Sequence, residues 1–311
     1  MLYSYLIQRF LLMFLTLLGM SIIIFVLLRL VPGNIVDIMF DSAGFVDPDE
    51  KKTIEKELGL DLPIYEQYYH WIVGLVSFDL GFSYVSEMPA IDEIGPRIPI
   101  TAKLAALSLF FSILFGLPLG VISAVKQNTA LDYALRVVSL SGLSLPSFWL
   151  ALLILMACVA YTGAIPIYTE TPETLWDELL LYLLPSAAVG FRASALIMRL
   201  TRSSMLEVMR QDYIRTAMSK GASDNAINYK HALRNAVLPV TTIIGIEAAF
   251  LIGGLIITET VFNIPGVAHF LVEAILMRDY PIVQSLVMFI AIIVLSLIHI
   301  SEPTRPLYIS Y

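Results

Sequence analysis

Four stretches of this chain, residues 10–28, 104–125, 137–161 and 282–300, contain no charged side chain and are each long enough to cross a membrane as a helix. A hydrocarbon layer about 30 Å thick needs about 20 residues at 1.5 Å each. Lipid offers no hydrogen bonds to a stray backbone N–H or C=O, so such stretches must fold as helices that satisfy their own backbone. Two further apolar stretches carry one charge each, 179–198 with Arg192 and 237–258 with Glu247. Their flanking apolar residues offset a cost of about 3 kcal/mol per charge. The composition agrees: 58% of the residues are hydrophobic and only 14% charged. The fold class read from this is an all-α membrane protein with six transmembrane helices and a long loop after the first. Pro118, Pro146 and Pro185 fall inside these stretches, where kinks rather than breaks are expected. The first stretch has one Arg ahead of it and no small-residue cleavage site after it, so it is read as a retained span.

Charge sets the expected topology. Residues 31–97 hold 13 acidic and 4 basic side chains, whereas residues 192–234 hold 8 basic and 3 acidic ones. By the positive-inside rule the second segment is cytoplasmic, and an even number of spans then puts both termini inside. The expected location is the plasma membrane of a prokaryote, crossed several times. The expected organisation is a helix at 1–30, an outer loop region at 31–97 and a core at 98–300 with five spans. Within the loop, residues 48–58 read as an amphipathic surface helix stopped by Gly59, or simply as a solvated charged face.

Between the last two pairs of spans lies Arg215-Thr-Ala-Met-Ser-Lys-Gly221, followed by Ala-Ser-Asp224-Asn-Ala-Ile-Asn-Tyr229. This basic, polar segment, within residues 201–236, cannot lie in hydrocarbon. Gly221 permits a sharp turn between two short helices, and the second is expected to be capped and to offer Ala226, Ile227 and Tyr229 to a groove on a partner. The segment resembles the cytoplasmic coupling loop of ABC importer permeases.

Other patches extend the resemblance from the N-terminus to about residue 294. They include Leu30-Val-Pro-Gly33, Glu57-Leu-Gly-Leu-Asp-Leu-Pro63, Phe78-Asp-Leu-Gly-Phe-Ser83 and Leu143-Ser-Leu-Pro-Ser-Phe-Trp149. Further on come Leu200-Thr-Arg-Ser-Ser-Met-Leu-Glu-Val208, Gln211-Asp-Tyr-Ile-Arg-Thr-Ala217, Glu259-Thr-Val-Phe262 and Arg278-Asp-Tyr-Pro281. In order and spacing they resemble the permeases of dipeptide, oligopeptide and nickel importers. The resemblance implies a type I importer fold, pairing with a second related permease, docking on two cytoplasmic ATPase subunits, and delivery by an extracytoplasmic solute-binding protein. The Glu-Ala-Ala opening of the broad importer motif is here Arg215, Thr216 and Ala217, and the spacing from Gly221 to Pro239 is long; both resemble the peptide and nickel subgroup. The implied cargo is short peptides, with nickel chelates or other small solutes as the alternative. The stretch from Leu295 to Tyr311 departs from the family and resembles translated sequencing-adaptor read-through, with residues 301–311 read as a non-native tail; the alternative is a genuine short tail, in which Pro303 and Pro306 end the helix and Arg305 suits the inside.

No Gly-x-x-x-x-Gly-Lys-Ser/Thr loop is present, so ATP hydrolysis is assigned to partners and the chain is read as no enzyme. No cofactor, metal or nucleic-acid partner is expected: His70, His231, His269 and His299 are dispersed, and Cys158 stands alone in an apolar stretch. Ser108, Ser112 and Ser141 are read as backbone-bonded packing residues. Two readings of Glu247 stand side by side. Either it lines the translocation pathway and meets a cationic group of the solute, or it is a structural carboxyl paired with Arg192. Gly253 and Gly254 are read as allowing close helix packing. An alternative function is a secondary transporter driven by protonation of Glu247.

Overall fold

The structure, a computed structural model, describes residues 2–31, 36, 48–57, 59–83, 85–163, 167–168 and 174–301. Five helices are long and apolar enough to span a membrane: Ile7–Leu30, Ala90–Val125, Leu175–Val208, Ala226–Gly254 and Tyr280–His299. The sixth expected span is a bent pair, Ala130–Ser144 followed by Ser147–Thr162, turned by 105°. This corrects the kink expected at Pro146. A proline ring disfavours the α conformation in the residue before it, and here Leu145 and Pro146 are both extended, with ψ of 128° and 138°. A new helix then starts on the Pro146 carbonyl, which accepts from the N–H groups of Trp149 and Leu150. Pro185, by contrast, sits inside a continuous helix, as does Pro118. The expected span at 237–258 also ends early, at Gly254, and a short helix Ile256–Val261 follows.

The chain divides into two compact units, Met1–Ile100 with Pro265–Leu295 and Thr101–Ile264 with Ser296–Tyr311. In the first, Ala90, Ile94, Phe270, Leu271, Ile282 and Leu286 form the core. The helix Pro48–Glu57 is present, and Gly59 follows it at φ +63°. Within the acidic loop, residues 32–35, 37–47, 58 and 84 lie outside the described residues, as do 302–311 of the tail. A two-stranded antiparallel ribbon pairs Phe82 with Pro89 and Ser83 with Met88.

Two motifs far apart in sequence meet in this unit. Ser83 Oγ donates to Asp279 Oδ2 at 2.5 Å, and Ser285 Oγ donates to the Leu80 carbonyl at 2.9 Å. Gly81, at φ +87°, lies so close to Pro281 that an added Cβ would stand 3.2 Å from the proline Cβ. Asp279 precedes the helix Tyr280–Ser301, and its Oδ1 is 3.5 Å from the N–H of Ile282, the geometry of a loose N-cap. Burial raises the Asp279 carboxyl above its usual range, with the Ser83 hydroxyl acting in the opposite sense.

In the second unit, glycines let the helices Ala90–Val125 and Leu175–Val208 cross closely. A Cβ on Gly120 would stand 2.6 Å from Thr201 Cβ and 2.7 Å from the Met198 carbonyl oxygen, and one on Gly116 would stand 2.8 Å from the Ser194 carbonyl oxygen. This is the small-residue packing that membrane helices use in place of a hydrophobic driving force. Gly253 and Gly254 differ from the expectation of close packing: a Cβ at either meets nothing within 4 Å among the described residues. Ser108 bonds to the Leu104 carbonyl, Ser112 to Leu109 and Ser141 to Val137, as packing serines do. Asp132, with no exposed surface, gathers Arg202, Ser123 Oγ at 2.6 Å and the N–H of Asn128 at 3.0 Å around one carboxylate.

Candidate functional site

The polar segment forms a hairpin built on one helix, one turn and the start of another. The helix Asp212–Ser219 ends in a Schellman motif. The Gly221 N–H bonds to the Met218 carbonyl at 2.9 Å and the Ala222 N–H to the Ala217 carbonyl at 3.2 Å, while Gly221 adopts φ +80°. That is the turn expected at Gly221. Ser223 then caps the next helix, its Oγ lying 3.4 Å from the Ala226 N–H, so the capping group is Ser223 while Asp224 sits in the first turn. This second helix is not short. A π-helical stretch, Ala226–Ala232, runs directly into Leu233–Gly254.

Burial sorts the candidate residues. Arg215, Thr216, Gly221, Asp224 and Tyr229 are exposed, and Ala217 and Ala226 are half-buried. Arg215 lies 3.5 Å from Asp212, and Thr216 Oγ1 bonds to the Asp212 carbonyl, so both are held on the helix surface. Ile227 departs from expectation: it is 3% exposed and packs with Val121, Met205, Ile214 and Ala236. It is an anchor of the hairpin rather than a contact for a partner. The physical reason is helical phase, since the turn that exposes Tyr229 points Ile227 inward. Met218, 50% exposed, adds apolar surface to the outer face, a contribution that no motif in the sequence marks. Asn235 Nδ2 donates to Tyr213 Oη at 2.7 Å and ties the two helices of the hairpin together.

The second candidate location is a cavity of about 410 Å³ inside the second unit. Glu247 and Arg192 both line it, with Pro146, Phe148, Phe250 and Gly254 among the other walls. The break at Pro146 thus helps form this wall. Glu247 is only 6% exposed. Arg192 lines the same cavity, and among the described residues no ion pair within 4.0 Å joins it to Glu247. Glu259 is a buried carboxylate that the sequence reading left in a motif without a role. It has no exposed surface, and Thr101 Oγ1 donates to it at 2.6 Å. Only its acidic side chain in an apolar neighbourhood could have singled it out. Among the described residues no group of His, Cys, Asp or Glu is arranged to hold a metal ion.

Comparison with known proteins places this architecture. Residues 116–302 match the family described as binding-protein-dependent transport system inner membrane component, and residues 1–105 match the N-terminal region of such membrane components. A dipeptide transport system permease protein of Alkalihalophilus pseudofirmus is 36% identical over 312 residues, covering 93% of each chain. One from Escherichia coli is 34% identical, covering 90% of each. A glutathione transport system permease protein of Escherichia coli is 36% identical, covering 91% of this chain and 90% of the relative. A solved amino acid ABC transporter shares the fold, with a TM-score of 0.53 at 13% identity over 68% of this chain and 91% of that one. The chain belongs to the binding-protein-dependent transport system inner membrane component family and is a membrane-embedded permease subunit of an ABC importer, with ATP hydrolysis residing in other subunits.

Proposed function

We propose that this permease carries short peptides into the cell, working beside a second related permease, on two cytoplasmic ATPase subunits, with solute delivered by an extracytoplasmic binding protein. The observation that carries the cargo is similarity to dipeptide and glutathione permeases over nine-tenths of both chains. The hairpin, with both chain termini, lies on the cytoplasmic side, in keeping with its basic charge. Its exposed residues Arg215, Thr216, Gly221, Asp224, Met218 and Tyr229 form the docking surface, with Ala217 and Ala226 behind them. Ile214 and Ile227 bury its inner face against Val121, Met205 and Ala236, so a push on the outer face moves three packed helix ends as one body.

The cavity around Glu247 and Arg192 is part of the pathway. Opposite charges on one cavity wall suit a solute with a cationic amino end and an anionic carboxylate end. The proton-driven alternative through Glu247 gives way to the family assignment.

The deciding experiment is uptake of a labelled dipeptide by vesicles holding the complete transporter and its binding protein. Uptake should require ATP, and an unlabelled dipeptide should compete where a nickel chelate does not. Competition by the chelate alone would reassign the cargo. In the same vesicles Glu247→Gln should depress uptake of cationic peptides more than neutral ones, and equal effects would remove Glu247 from the pathway.

A further inference from the structure

The helix Ile64–Val76 packs along the last turns of the first span. Tyr68 Oη and Ser21 Oγ are 2.9 Å apart, the ring of Phe25 lies 5.1 Å from that of Tyr68 and 5.9 Å from that of Trp71, and Arg29 donates to Gln67 Oε1 from Nε at 2.9 Å and Nη2 at 2.8 Å. Ser21 and Arg29 are separated by about 12 Å of helix axis at 1.5 Å per residue. Arg29 is the penultimate residue of the span Ile7–Leu30. Ser21 therefore lies within the span, and the Tyr68 side chain of this helix reaches it there.

The other side of this helix carries an apolar stripe. Tyr65, Tyr69, Val73 and Val76, spaced to fall on one helical face, are 71%, 65%, 45% and 75% exposed. The same length of the first span exposes Ile23, Val26, Leu27 and Leu30. At this depth the medium around an unpacked apolar face is acyl chain, and tyrosine is the residue that favours the boundary between chain and headgroup.

Beside this helix is a cavity of about 360 Å³ whose walls include Arg29, Trp71, Asp79 and Gln284. Arg29 is held by the neutral Gln67 amide, the Phe25 carbonyl at 3.3 Å and the Phe25 ring at 3.4 Å, and has no carboxylate partner among the described residues. Asp79 accepts from the Gly81 N–H at 3.0 Å and has no basic partner among the described residues. Gln284 is 4% exposed, yet its Nε2 has no hydrogen-bond acceptor. A cation, an anion and an orphaned amide thus border one space next to a lipid-facing helix. Arg29 is half-buried and Asp79 exposed at the mouth of this space, whereas Gln284 is buried, and a buried polar group is ordinarily satisfied, so its orphaned amide points to a missing partner.

We propose that this cavity binds the headgroup of a phospholipid bearing a primary ammonium group, its phosphate on Arg29 and its ammonium on Asp79. A guanidinium fork matches phosphate oxygens, and an ammonium offers Asp79 the N–H donors that a choline headgroup lacks. The same pairing of charges occurs in a peptide or, for Arg29 alone, in free phosphate. The depth of the helix along the span favours the lipid.

The test uses Trp71 as reporter, with Trp149→Phe and Trp176→Phe in the complete transporter reconstituted into vesicles. Brominated phosphatidylethanolamine should quench Trp71 several-fold more strongly than brominated phosphatidylcholine at equal mole fraction. Asp79→Asn should abolish that preference, Arg29→Gln should weaken quenching by both lipids, and Arg29→Lys should retain most of it. Equal quenching by the two lipids in the parent would overturn headgroup recognition. No quenching by either would mean that protein covers the stripe. Loss of the preference on adding a dipeptide or inorganic phosphate would reassign the cavity to a soluble ligand.

Discussion

Arg202 forks onto Asp132, Nε to Oδ1 at 2.8 Å and Nη2 to Oδ2 at 2.9 Å, and so ties the helix Leu175–Val208 to the start of Ala130–Ser144. Ser123 and Asn128 add donors from the preceding helix and turn, with Asn128 held at φ +63°. One carboxylate therefore joins the helix Ala90–Val125, the turn after it and the helix Ala130–Ser144 to the helix Leu175–Val208, at the end of the second unit that also carries the hairpin core. The sequence hides this arrangement, because Arg202 and Asp132 sit in separate stretches with no shared motif.

Removing Arg202 leaves Asp132 only the more distant Arg136, whose Nε lies 3.9 Å away, and removing the Asp132 charge leaves Arg202 without its fork. Asp132 is covered by its partners, while Arg202 keeps some contact with solvent, which tempers the loss. Arg202→Met should destabilise the permease by about 1–3 kcal/mol. Asp132→Asn should cost less, because Ser123 and Asn128 still have an oxygen to bond. Thermal unfolding of the purified protein in detergent, run as a double-mutant cycle, measures both effects. A coupling energy near zero would show that the pair is incidental.

Gly120→Ala should be the most damaging single-methyl addition. Its Cβ would stand 2.6 Å from Thr201 Cβ and 2.7 Å from a backbone oxygen, and neither can retreat without moving a helix. Overpacking of this kind costs about 1–3 kcal/mol. Gly253→Ala, with nothing within 4 Å of the new Cβ, is the internal control and should be neutral for folding of the isolated permease. The comparison requires only detergent-solubilised yield and unfolding temperature.

Gly221→Val addresses the hairpin. A Cβ added there meets nothing within 4 Å, so the structural cost comes mainly from holding a β-branched residue at φ +80°. That strain is about 1–2 kcal/mol, too little to unfold the helical assembly and enough to distort the Schellman turn. The variant should insert and pair normally while losing ATPase docking and solute-stimulated hydrolysis together. Gly221→Asn, which tolerates the left-handed region, should keep most of both. Normal co-purification and hydrolysis in Gly221→Val would place docking elsewhere.

Asp279 predicts a pH dependence at the opposite kind of site, a buried cap. Its ordinary value is 3.8, and burial raises it in the folded protein. The folded state then binds the proton more tightly than the unfolded state. The contribution to stability is complete below the unfolded value and is lost as pH rises through the folded one, so stability should fall as pH increases upward from about 4. Asp279→Asn should flatten that part of the profile. A rise in stability across the same window, in otherwise identical detergent, would contradict the sign. Ser83→Ala should push the loss to higher pH, because the hydroxyl bond to Asp279 acts against burial.

How much of this could be read in advance depends on the range of the interaction. Helix positions follow from unbroken apolar length, a local property that lipid enforces through the backbone, and five of the expected spans appear as long apolar helices. The turn at Gly221 was legible for the same reason, since a left-handed residue between two polar helical segments is a local requirement. Pro146 marked a disturbance of the third span, but only the structure decided that it is a 105° break forming part of a cavity wall with Glu247 and Arg192. Likewise Ile227 and Tyr229 are both apolar side chains in one short stretch, and packing against Val121 and Met205 determined which of them turns inward. Ser83 with Asp279, and Asp132 with Arg202, are separated by 196 and 70 residues. Hydrogen bonds over such distances exist only once the helices have packed, so no sequence pattern announces them, and the tertiary structure alone selects the partners.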